Sequence, residues 1–538
     1  MLNTKNPFRY LSRRRFVTVT TSILVLALLN FVFDAILWTE STPVDQRFAD
    51  PKPFAGVLTE HAGERVYNVL AVQRDILDHA SPTMQAASVR LSAHRSATEY
   101  VEKLSFYDDG WGMVATPTIS EFYHRVGCDQ GWKGYIIREF AKPRLGLYSG
   151  RNTATGFLDK SHADLRVVVT GCATCHFGRA AGKDIPGLGN KNIDPCALGQ
   201  WINAADGTLS WLPIASSTRA ARDIQARSLA MARRLGNEGL SNTTQGMVPV
   251  SLVFRWFYEQ QGVPIPPTMT PGAVKVPTLW GYAEKISSGI FCDGVGDGEH
   301  SAWAAMVELA AGNSVENIRN HIDQIEYSEL ALGSLLPPAY PNSIDWEGAE
   351  NGKSIFVEHC QVCHGQYVKD YGGLSIYEKP IHVRIEDVGT DDDRLNIVTV
   401  QSIEMVSRSP LKDVIRTHPH YRRGYFAPRL DGIWARFPYL HNGSVPNIMA
   451  LLSNFDERPV IFDLSDAGEV RRYDSENLGL NVPLLGSAKS KQLQVKARTG
   501  SREVYDTSQL GHSNRGHEFG TDLSTEMKRS LIEYLKTL

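Results

Sequence analysis

One five-residue pattern, Cys-x-x-Cys-His, occurs twice and constrains this chain more than any other feature. Two thiols two residues apart can add to the two vinyl groups of one porphyrin, and the next histidine then lies under the porphyrin plane as an iron ligand. A redox-active dithiol or half of a zinc site would need only the cysteines. Because the histidine recurs in both copies, the pattern predicts two covalently bound c-type haems. The copies are Cys172-Ala-Thr-Cys175-His176 and Cys360-Gln-Val-Cys363-His364.

The rest of the composition is that of an ordinary globular protein. The 538 residues suffice for two or three domains, and a net charge of −3 without a basic tract beyond the N-terminus gives no indication of nucleic-acid binding. Three further cysteines, Cys128, Cys196 and Cys292, leave at least one thiol unpaired within the chain. A disulfide between two of them is an open alternative with no preferred pair.

The N-terminus predicts export or anchoring. Residues 1–15 form a basic tail, and residues 16–38 are apolar except mainly for Asn30 and Asp34. At ~1.5 Å per helical residue this run is long enough to cross a bilayer with its basic side inside. We expect a single-pass helix in a bacterial inner membrane with the haem domains in the periplasm. Release into the periplasm as a cleaved protein is the alternative.

Helical and loop patterns give the expected fold class. Residues 39–160 carry no chemical motif and form an N-terminal extension, residues 161–336 hold the first haem motif, and residues 345–538 hold the second. An apolar stripe leads into Cys360, and another follows Ser524, a candidate N-cap of a closing helix. We predict a mainly α fold of two cytochrome c-like haem domains with extensive loops and few strands, behind the anchor.

A weak internal repeat indicates duplication. Val276-Pro-Thr-Leu-Trp-Gly281 leads to an Asp-Gly pair, and Ala427-Pro-Arg-Leu-Asp-Gly432 leads to an Asn-Gly pair. Each copy follows its own Cys-x-x-Cys-His motif, so the chain looks like a duplicated haem-binding unit.

The two irons are expected to differ in their sixth ligand. No histidine occurs between His176 and His300, and the methionines in that interval are more readily core residues. The first iron is therefore expected to keep an open position that can bind O2 or peroxide. For the second iron, the preferred ligand is His517, in a glycine-flanked loop before the last helix. The other candidates are His418, His420, His441 and His512.

These residues carry a resemblance to a known family. The haem motifs, together with Pro438-Tyr-Leu-His-Asn-Gly-Ser-Val-Pro446 and Gly516-His-Glu-Phe-Gly520, resemble the bacterial dihaem cytochrome c peroxidase superfamily. Within it the likeness is closest to the rubber oxygenase A-like dihaem cytochromes, over roughly residues 160–538. The resemblance implies an oxidoreductase in which the N-terminal haem is reactive and the C-terminal haem transfers electrons.

The resemblance also implies roles for single residues. His176 matches the proximal ligand of the reactive haem, and His364 and His517 match the two ligands of the electron-transfer haem. Trp280 matches a tryptophan that carries electrons between the haems, although an ordinary buried aromatic is the alternative. Phe291 is the candidate for lining the distal pocket.

Departures from the family pattern limit what carries over. The chain lacks the histidine that closes the first iron in many peroxidases, and no residue fits their distal glutamate motif, so peroxide chemistry by the usual acid–base route is in doubt. Some of these peroxidases bind calcium between their domains. The carbonyls of Arg436 and Pro438 fall where such ligands come from, so calcium is left open.

Three functions are compatible with these features. The first is an oxidoreductase of peroxidase or oxygenase type, which takes peroxide or O2, an apolar alkene or lipid as a further substrate, and electrons from a redox partner protein. The second is a membrane-anchored electron-transfer cytochrome without a substrate of its own. The third is a haem-dependent maturation or sensing protein that acts on another protein. The sequence does not choose between peroxidase and oxygenase.

Overall fold

The structure is a computed structural model, and it describes fourteen stretches of the chain. They are residues 157–162, 165–170, 173–197, 243–280, 296–301, 303–310, 314–320, 337–367, 375–376, 381–413, 415–417, 422–483, 487–498 and 501–538.

Strands occur throughout these stretches, always in antiparallel pairs. In the described residues the pairs are β1–β2, β3–β4, β5–β6, β7–β11, β8–β9, β10–β12, β13–β16 and β14–β15. The strands are β1 (Phe157–His162), β2 (Leu165–Thr170), β3 (Phe177–Ala180), β4 (Lys183–Pro186), β5 (Met247–Pro249), β6 (Ala273–Lys275), β7 (Gly296–Ser301), β8 (Gln366–Tyr367), β9 (Ser375–Ile376), β10 (His382–Arg384), β11 (Ile415–Thr417), β12 (Gly424–Phe426), β13 (Ile461–Asp463), β14 (Tyr473–Asp474), β15 (Gly479–Leu480) and β16 (Val504–Asp506).

The described helices are mostly short. They are α1 (Ala173–His176), α2 (Ser251–Gln260), α3 (Trp303–Ala310), α4 (Val315–Asn320), α5 (Trp346–His359), α6 (Gln361–His364), α7 (Ile385–Val388), α8 (Asp393–Asn396), α9 (Val400–Ser407), α10 (Ile448–Leu451), α11 (Ala488–Arg498) and α12 (Thr525–Lys536). The two longest, α5 and α12, lie in the second half of the chain and pack on each other. Short 3-10 turns cover Ile433–Ala435 and Val470–Arg472.

Helices α5 and α12, both indicated by apolar stripes in the sequence, pack against each other in the second half. The Ser524 hydroxyl accepts a hydrogen bond from the backbone N–H of Met527 at 3.3 Å, which confirms the predicted N-cap. Helix α5 buries Phe356, whose ring lies 5.2 Å from that of Tyr534 on α12. Because α5 runs directly into Cys360, this packing determines where the second haem motif begins.

The helices approach most closely at Gly352. A Cβ atom built on Gly352 would lie 1.9 Å from the carbonyl oxygen of Ser530 on α12. Such a distance is far inside van der Waals contact, and the obstacle is backbone, which cannot rotate away. Glycine is therefore required at this position for steric reasons, despite its cost of roughly 1 kcal/mol in a helix interior relative to alanine.

Gly352→Ala is expected to lower the free energy of unfolding by about 1–3 kcal/mol, the usual cost of overpacking. The comparison is Gly348→Ala in the same helix, where the nearest atom is the Asp345 carboxylate, 2.7 Å from the added Cβ, a side chain that can rotate away at the cost of its N-cap hydrogen bond from the Gly348 N–H. Thermal or denaturant unfolding of both variants measures the difference. A Gly352→Ala protein as stable as the Gly348→Ala protein would contradict the close packing of α5 on α12.

Both hydrophobic cores draw on the two halves of the chain. The larger core packs Phe177, Leu188 and Trp280 from the first half with residues such as Phe356 and Trp434 from the second. The smaller core packs side chains of α2 and α3 with residues 397–411. The first haem motif and its surroundings therefore do not have a core of their own in the part that the structure describes.

The fold-class prediction is accordingly wrong in two respects. The described chain is mixed α/β with many short strands rather than mainly α, and its cores are shared rather than divided between two haem domains. The segment after His176 illustrates the first error. Its glycines predict a loop, but Ala181 and Gly182 both have positive φ, 49° and 75°, and close a hairpin between β3 and β4.

The predictions of a membrane anchor and of an inner-membrane location are also corrected. Among the helices of the described residues, none combines the length and the apolarity needed to cross a bilayer. The segment 16–38 lies outside these residues.

Candidate functional site

The first haem motif lies in the short helix α1, between strands β2 and β3. Cys175 and His176 are described, whereas Cys172 lies outside the described residues. The Nδ1 atom of His176 is 3.1 Å from the carbonyl oxygen of Pro277. Because a carbonyl only accepts, Nδ1 carries the proton, and Nε2 keeps the lone pair that an iron would bind. Burial lowers the pKa of His176 to about 4, so the imidazole is neutral near pH 7.

The second motif repeats this arrangement at the end of α5. Helix α6 carries Cys363 and His364, and the Nδ1 atom of His364 is 2.9 Å from the carbonyl oxygen of Pro428. Burial lowers the pKa of His364 as well. Both proximal candidates therefore have the same tautomer, with Nε2 available as a ligand.

The internal repeat in the sequence now has a structural explanation. Pro277 and Pro428 occupy the same place in the two Pro-x-Leu-x-Gly copies, and each supplies the carbonyl that orients its own histidine. The repeat was visible in the sequence, but this role was missed, since a carbonyl has no side-chain signature.

The thiols are in the wrong electrostatic environment for thiolate chemistry. Burial raises the pKa values of Cys175 and Cys360 to about 11, and no positive group is a cause of either shift. Zinc sites and redox-active dithiols use the thiolate, which low-pKa environments stabilise. The surroundings therefore disfavour the thiolate form on which both of these kinds of site depend.

His517 faces His364 at a distance suited to a shared metal ion. The two ring centroids are 6.1 Å apart with 47° between the ring planes. Metal–imidazole bonds of about 2 Å on opposite sides of one ion separate the ring centres by about 6 Å. Burial and the neighbouring His364 lower the pKa of His517 to about 4. Its Nδ1 atom is buried and has no hydrogen-bond partner in the described part of the chain. The pair thus fits two axial ligands of one haem.

The other candidate histidines have different surroundings. The Nδ1 atom of His512 is 3.3 Å from the carbonyl oxygen of Asp506, and its ring packs 4.7 Å from Tyr505. His441 stacks on Tyr425 with 4.8 Å between the ring centroids. His418 and His420 lie outside the described residues.

Trp280 lies where the two copies of the repeat meet. The side chain is 4% exposed, and its Nε1–H donates to the carbonyl of Pro186 at 3.2 Å. A Cβ on Gly432, in the second copy, would lie 2.8 Å from the Trp280 ring. The Arg436 guanidinium is 5.9 Å from the ring centroid. Phe291, the predicted distal-pocket residue, lies outside the described residues.

The carbonyls considered for calcium already serve another cation. The Lys275 ammonium donates to the carbonyl oxygens of Arg436 and Pro438, both at 2.8 Å. Burial and the nearby Arg436 lower the pKa of Lys275 to about 7. Since a lysine nitrogen occupies the position between the two carbonyls, these residues do not fit a calcium ion. Sequence patterns missed this contact because it joins residues more than 160 positions apart.

One further cysteine is described. Cys196 is 1% exposed, forms no disulfide within the described part of the chain, and its Sγ lies 3.5 Å from Arg502. Cys128 and Cys292 lie outside that part, so a disulfide among the three stays a prediction.

Comparison with known proteins agrees with part of this interpretation. Residues 424–463 match a family model described as RoxA-like, cytochrome c-like. The match includes Pro428, whose carbonyl orients His364, and the Pro438–Pro446 stretch. It supports a relationship to RoxA-like dihaem cytochromes and, with the Cys-x-x-Cys-His motifs, indicates a c-type haem cytochrome with an oxidoreductase function in general terms.

Two curated relatives come from Sinorhizobium fredii (strain NBRC 101917 / NGR234). The uncharacterized protein y4iJ is 30% identical over 274 residues, which cover 39% of this chain and 43% of y4iJ. The uncharacterized protein y4iM is 27% identical over 317 residues, which cover 51% of this chain and 66% of y4iM. The chain spans less than two thirds of the length of either relative.

Proposed function

We propose that this protein is a dihaem oxidoreductase in which the N-terminal haem reacts with O2 or peroxide and the C-terminal haem relays electrons. The observation that carries the proposal is the difference between the two proximal histidines. His364 faces a second imidazole, that of His517, at 6.1 Å. No imidazole faces His176 among the residues that the structure describes. When bound, the haem iron of the first site would supply the O2 or peroxide chemistry.

The second site is suited to electron transfer. His364 and His517 would hold the second haem iron between them, which would leave it no coordination position for a substrate and suit it to passing electrons. The neutral form of both imidazoles, which burial favours, is the form that binds a metal ion.

The first site is suited to ligand binding. His176 would hold the iron of the first haem through Nε2, with its ring oriented by the Pro277 carbonyl. Met247 is a candidate ligand on the face of the first haem opposite His176. It is 2% exposed, and its Sδ atom would lie 3.7 Å from a Cβ added to Gly443. This is the environment of a core methionine. An iron with one protein ligand retains a position for O2 or peroxide.

Trp280 is proposed as the conduit between the two haems. It contacts the second repeat copy at Gly432 and is hydrogen-bonded to the first half at Pro186. Its indole therefore bridges the segments that hold the two proximal histidines. In the peroxidase reaction, an external redox protein would supply electrons at the C-terminal haem.

The resemblance to the rubber oxygenase A-like cytochromes is the reason to propose O2 with an apolar alkene or lipid as substrate, whereas the match over residues 424–463 does not distinguish this reaction from peroxide reduction. The two reactions differ in electron demand. Insertion of both atoms of O2 into a carbon–carbon double bond needs no external electrons, whereas reduction of one peroxide to two waters consumes two electrons and two protons. Turnover that requires an external electron donor would therefore favour the peroxidase reaction.

The first test is an optical and electron paramagnetic resonance spectrum of the holoprotein, isolated in air and then treated with one equivalent of peroxide. We expect one low-spin haem and one that is high-spin or O2-bound. A spectral change of the high-spin or O2-bound haem on addition of peroxide favours the peroxidase reaction. An unchanged spectrum of that haem favours the oxygenase reaction. Two low-spin haems that react with neither would contradict the proposal and leave an electron-transfer cytochrome.

A further inference from the structure

The loop that carries His517 is held by one buried arginine from another part of the chain. Arg458 lies beyond the C-terminal end of α10, on a separate segment from the loop, and is only 2% exposed. Its guanidinium has five N–H donors in one plane. Each of the five is matched to a backbone carbonyl in the structure.

The five acceptors belong to two segments. Nε donates to Ser453 at 3.1 Å, and Nη2 donates to Leu451 at 3.2 Å, both at the end of α10. Nη1 donates to Asn514 at 2.6 Å and Gly516 at 2.8 Å, and Nη2 donates to His517 at 3.3 Å. The guanidinium thus joins the end of α10 to the loop before α12. No carboxylate is among these partners, so the contact orients backbone rather than forming an ion pair.

Two of these bonds, together with one backbone hydrogen bond of the loop, determine the direction of the His517 side chain. Two hydrogen bonds hold the peptide plane before the His517 Cα. The Gly516 carbonyl accepts one from Arg458, and the His517 N–H donates the other to the Val388 carbonyl at 2.7 Å. The peptide plane after the His517 Cα is held by the hydrogen bond that the His517 carbonyl accepts from Arg458. Once both planes are held, φ and ψ are set, and with them the Cα–Cβ direction.

The conformation obtained is one that histidine seldom adopts. His517 has φ of 50°, in the left-handed region that non-glycine residues disfavour. The preceding Gly516 has φ of 77°, and a Cβ there would lie 2.3 Å from the backbone of Gly389. An unsupported loop would relax out of this geometry, because strained φ values persist only where the surroundings hold them.

We propose that Arg458 is a positioning residue that holds the His517 imidazole opposite His364 and thereby excludes added ligands from the C-terminal haem. This inference rests on the proposed role of His517 as an axial ligand. Arg458 touches neither imidazole through a ring nitrogen and acts only through the loop.

The test compares Arg458→Lys and Arg458→Met holoproteins with the wild type. Lysine keeps the charge, but its three N–H groups radiate from one nitrogen and cannot serve five carbonyls on two segments. We expect both variants to gain a high-spin ferric signal and to bind carbon monoxide at the reduced C-terminal haem. With three loop bonds lost, at roughly fivefold per bond, the population without His517 ligation rises on the order of a hundredfold.

Arg515→Lys is the matched control. Arg515 is in the same loop, is exposed, and its guanidinium lies 4.9 Å from the Phe455 ring. Its spectra are expected to equal those of the wild type. Added imidazole should restore the low-spin spectrum of the Arg458 variants, and a cooperative thermal unfolding transition like that of the wild type shows that these variants are folded. If Arg458→Met does not fold, Arg458→Lys with this rescue decides the question.

The outcomes separate the two proposals. A His517→Ala protein whose C-terminal haem stays low-spin overturns the ligand assignment itself. If the His517→Ala spectrum changes while either folded Arg458 variant keeps the wild-type spectrum, the positioning role alone is overturned.

Discussion

The Cys360→Ala, Cys363→Ala double variant is expected to lose all covalently bound haem at the C-terminal site while the N-terminal site keeps its own. Each Cys-x-x-Cys-His motif can form two thioether bonds to one porphyrin, and the chain has two such motifs. Without the thiols, His364 and His517 could hold a haem only by axial bonds. A pyridine haemochrome assay after acid–acetone extraction should therefore fall from two covalent haems per chain to one.

Cys196→Ala is the control for this experiment. Cys196 is as buried as a core residue, at 1% exposure, and belongs to neither motif. It should keep both haems. Unchanged covalent haem in the double variant would contradict the attachment role, and loss of both haems would show that the first site depends on the second through the shared core.

The haem motifs and the helices around the second one could be predicted from sequence because their signals are local. The Cys-x-x-Cys-His spacing is set by the chemistry of one porphyrin. Helix α5 and the Ser524 cap of α12 follow from apolar periodicity and from a hydroxyl at the right position. Even so, Val357, which falls on the predicted apolar face of α5, is 50% exposed. Periodicity gave the helix correctly and one of its buried positions wrongly.

The shared cores could not be predicted in the same way. The contact of the Tyr258 hydroxyl with Ser402, and that of Gln261 with the Met405 carbonyl, each join residues 144 positions apart. No periodic pattern records such pairing. The duplicated motifs suggested two separate units, but duplication constrains the local haem geometry and leaves open how the copies pack together.

Backbone carbonyls account for most of what the sequence did not show at the site. Pro277 and Pro428 orient the histidines, five carbonyls surround Arg458, and two others bind Lys275. Every residue has a carbonyl, so residue type carries no signal for these roles. The ligand role of His517 stays a prediction, but its glycine neighbours indicated a loop able to adopt positive φ, which both Gly516 and His517 do.

His517→Ala is expected to convert the C-terminal haem from six-coordinate to five-coordinate. His364 would remain as the only axial nitrogen, still oriented by the Pro428 carbonyl at 2.9 Å. The ferric optical and paramagnetic resonance spectra should change from low-spin to high-spin at this haem only. Added imidazole, which supplies the missing nitrogen on the same face as the removed ring, should restore the low-spin spectrum.

His512→Ala is the control that makes this result specific. His512 lies in the same loop region but is bonded to the Asp506 carbonyl and packed on Tyr505. Its removal is expected to reduce stability without changing the spin state, since burial of an aromatic ring contributes to the core and not to ligation. If His512→Ala produced the high-spin haem and His517→Ala did not, the ligand assignment would be reversed. The 6.1 Å pairing of His364 with His517 would then be a packing contact between two rings.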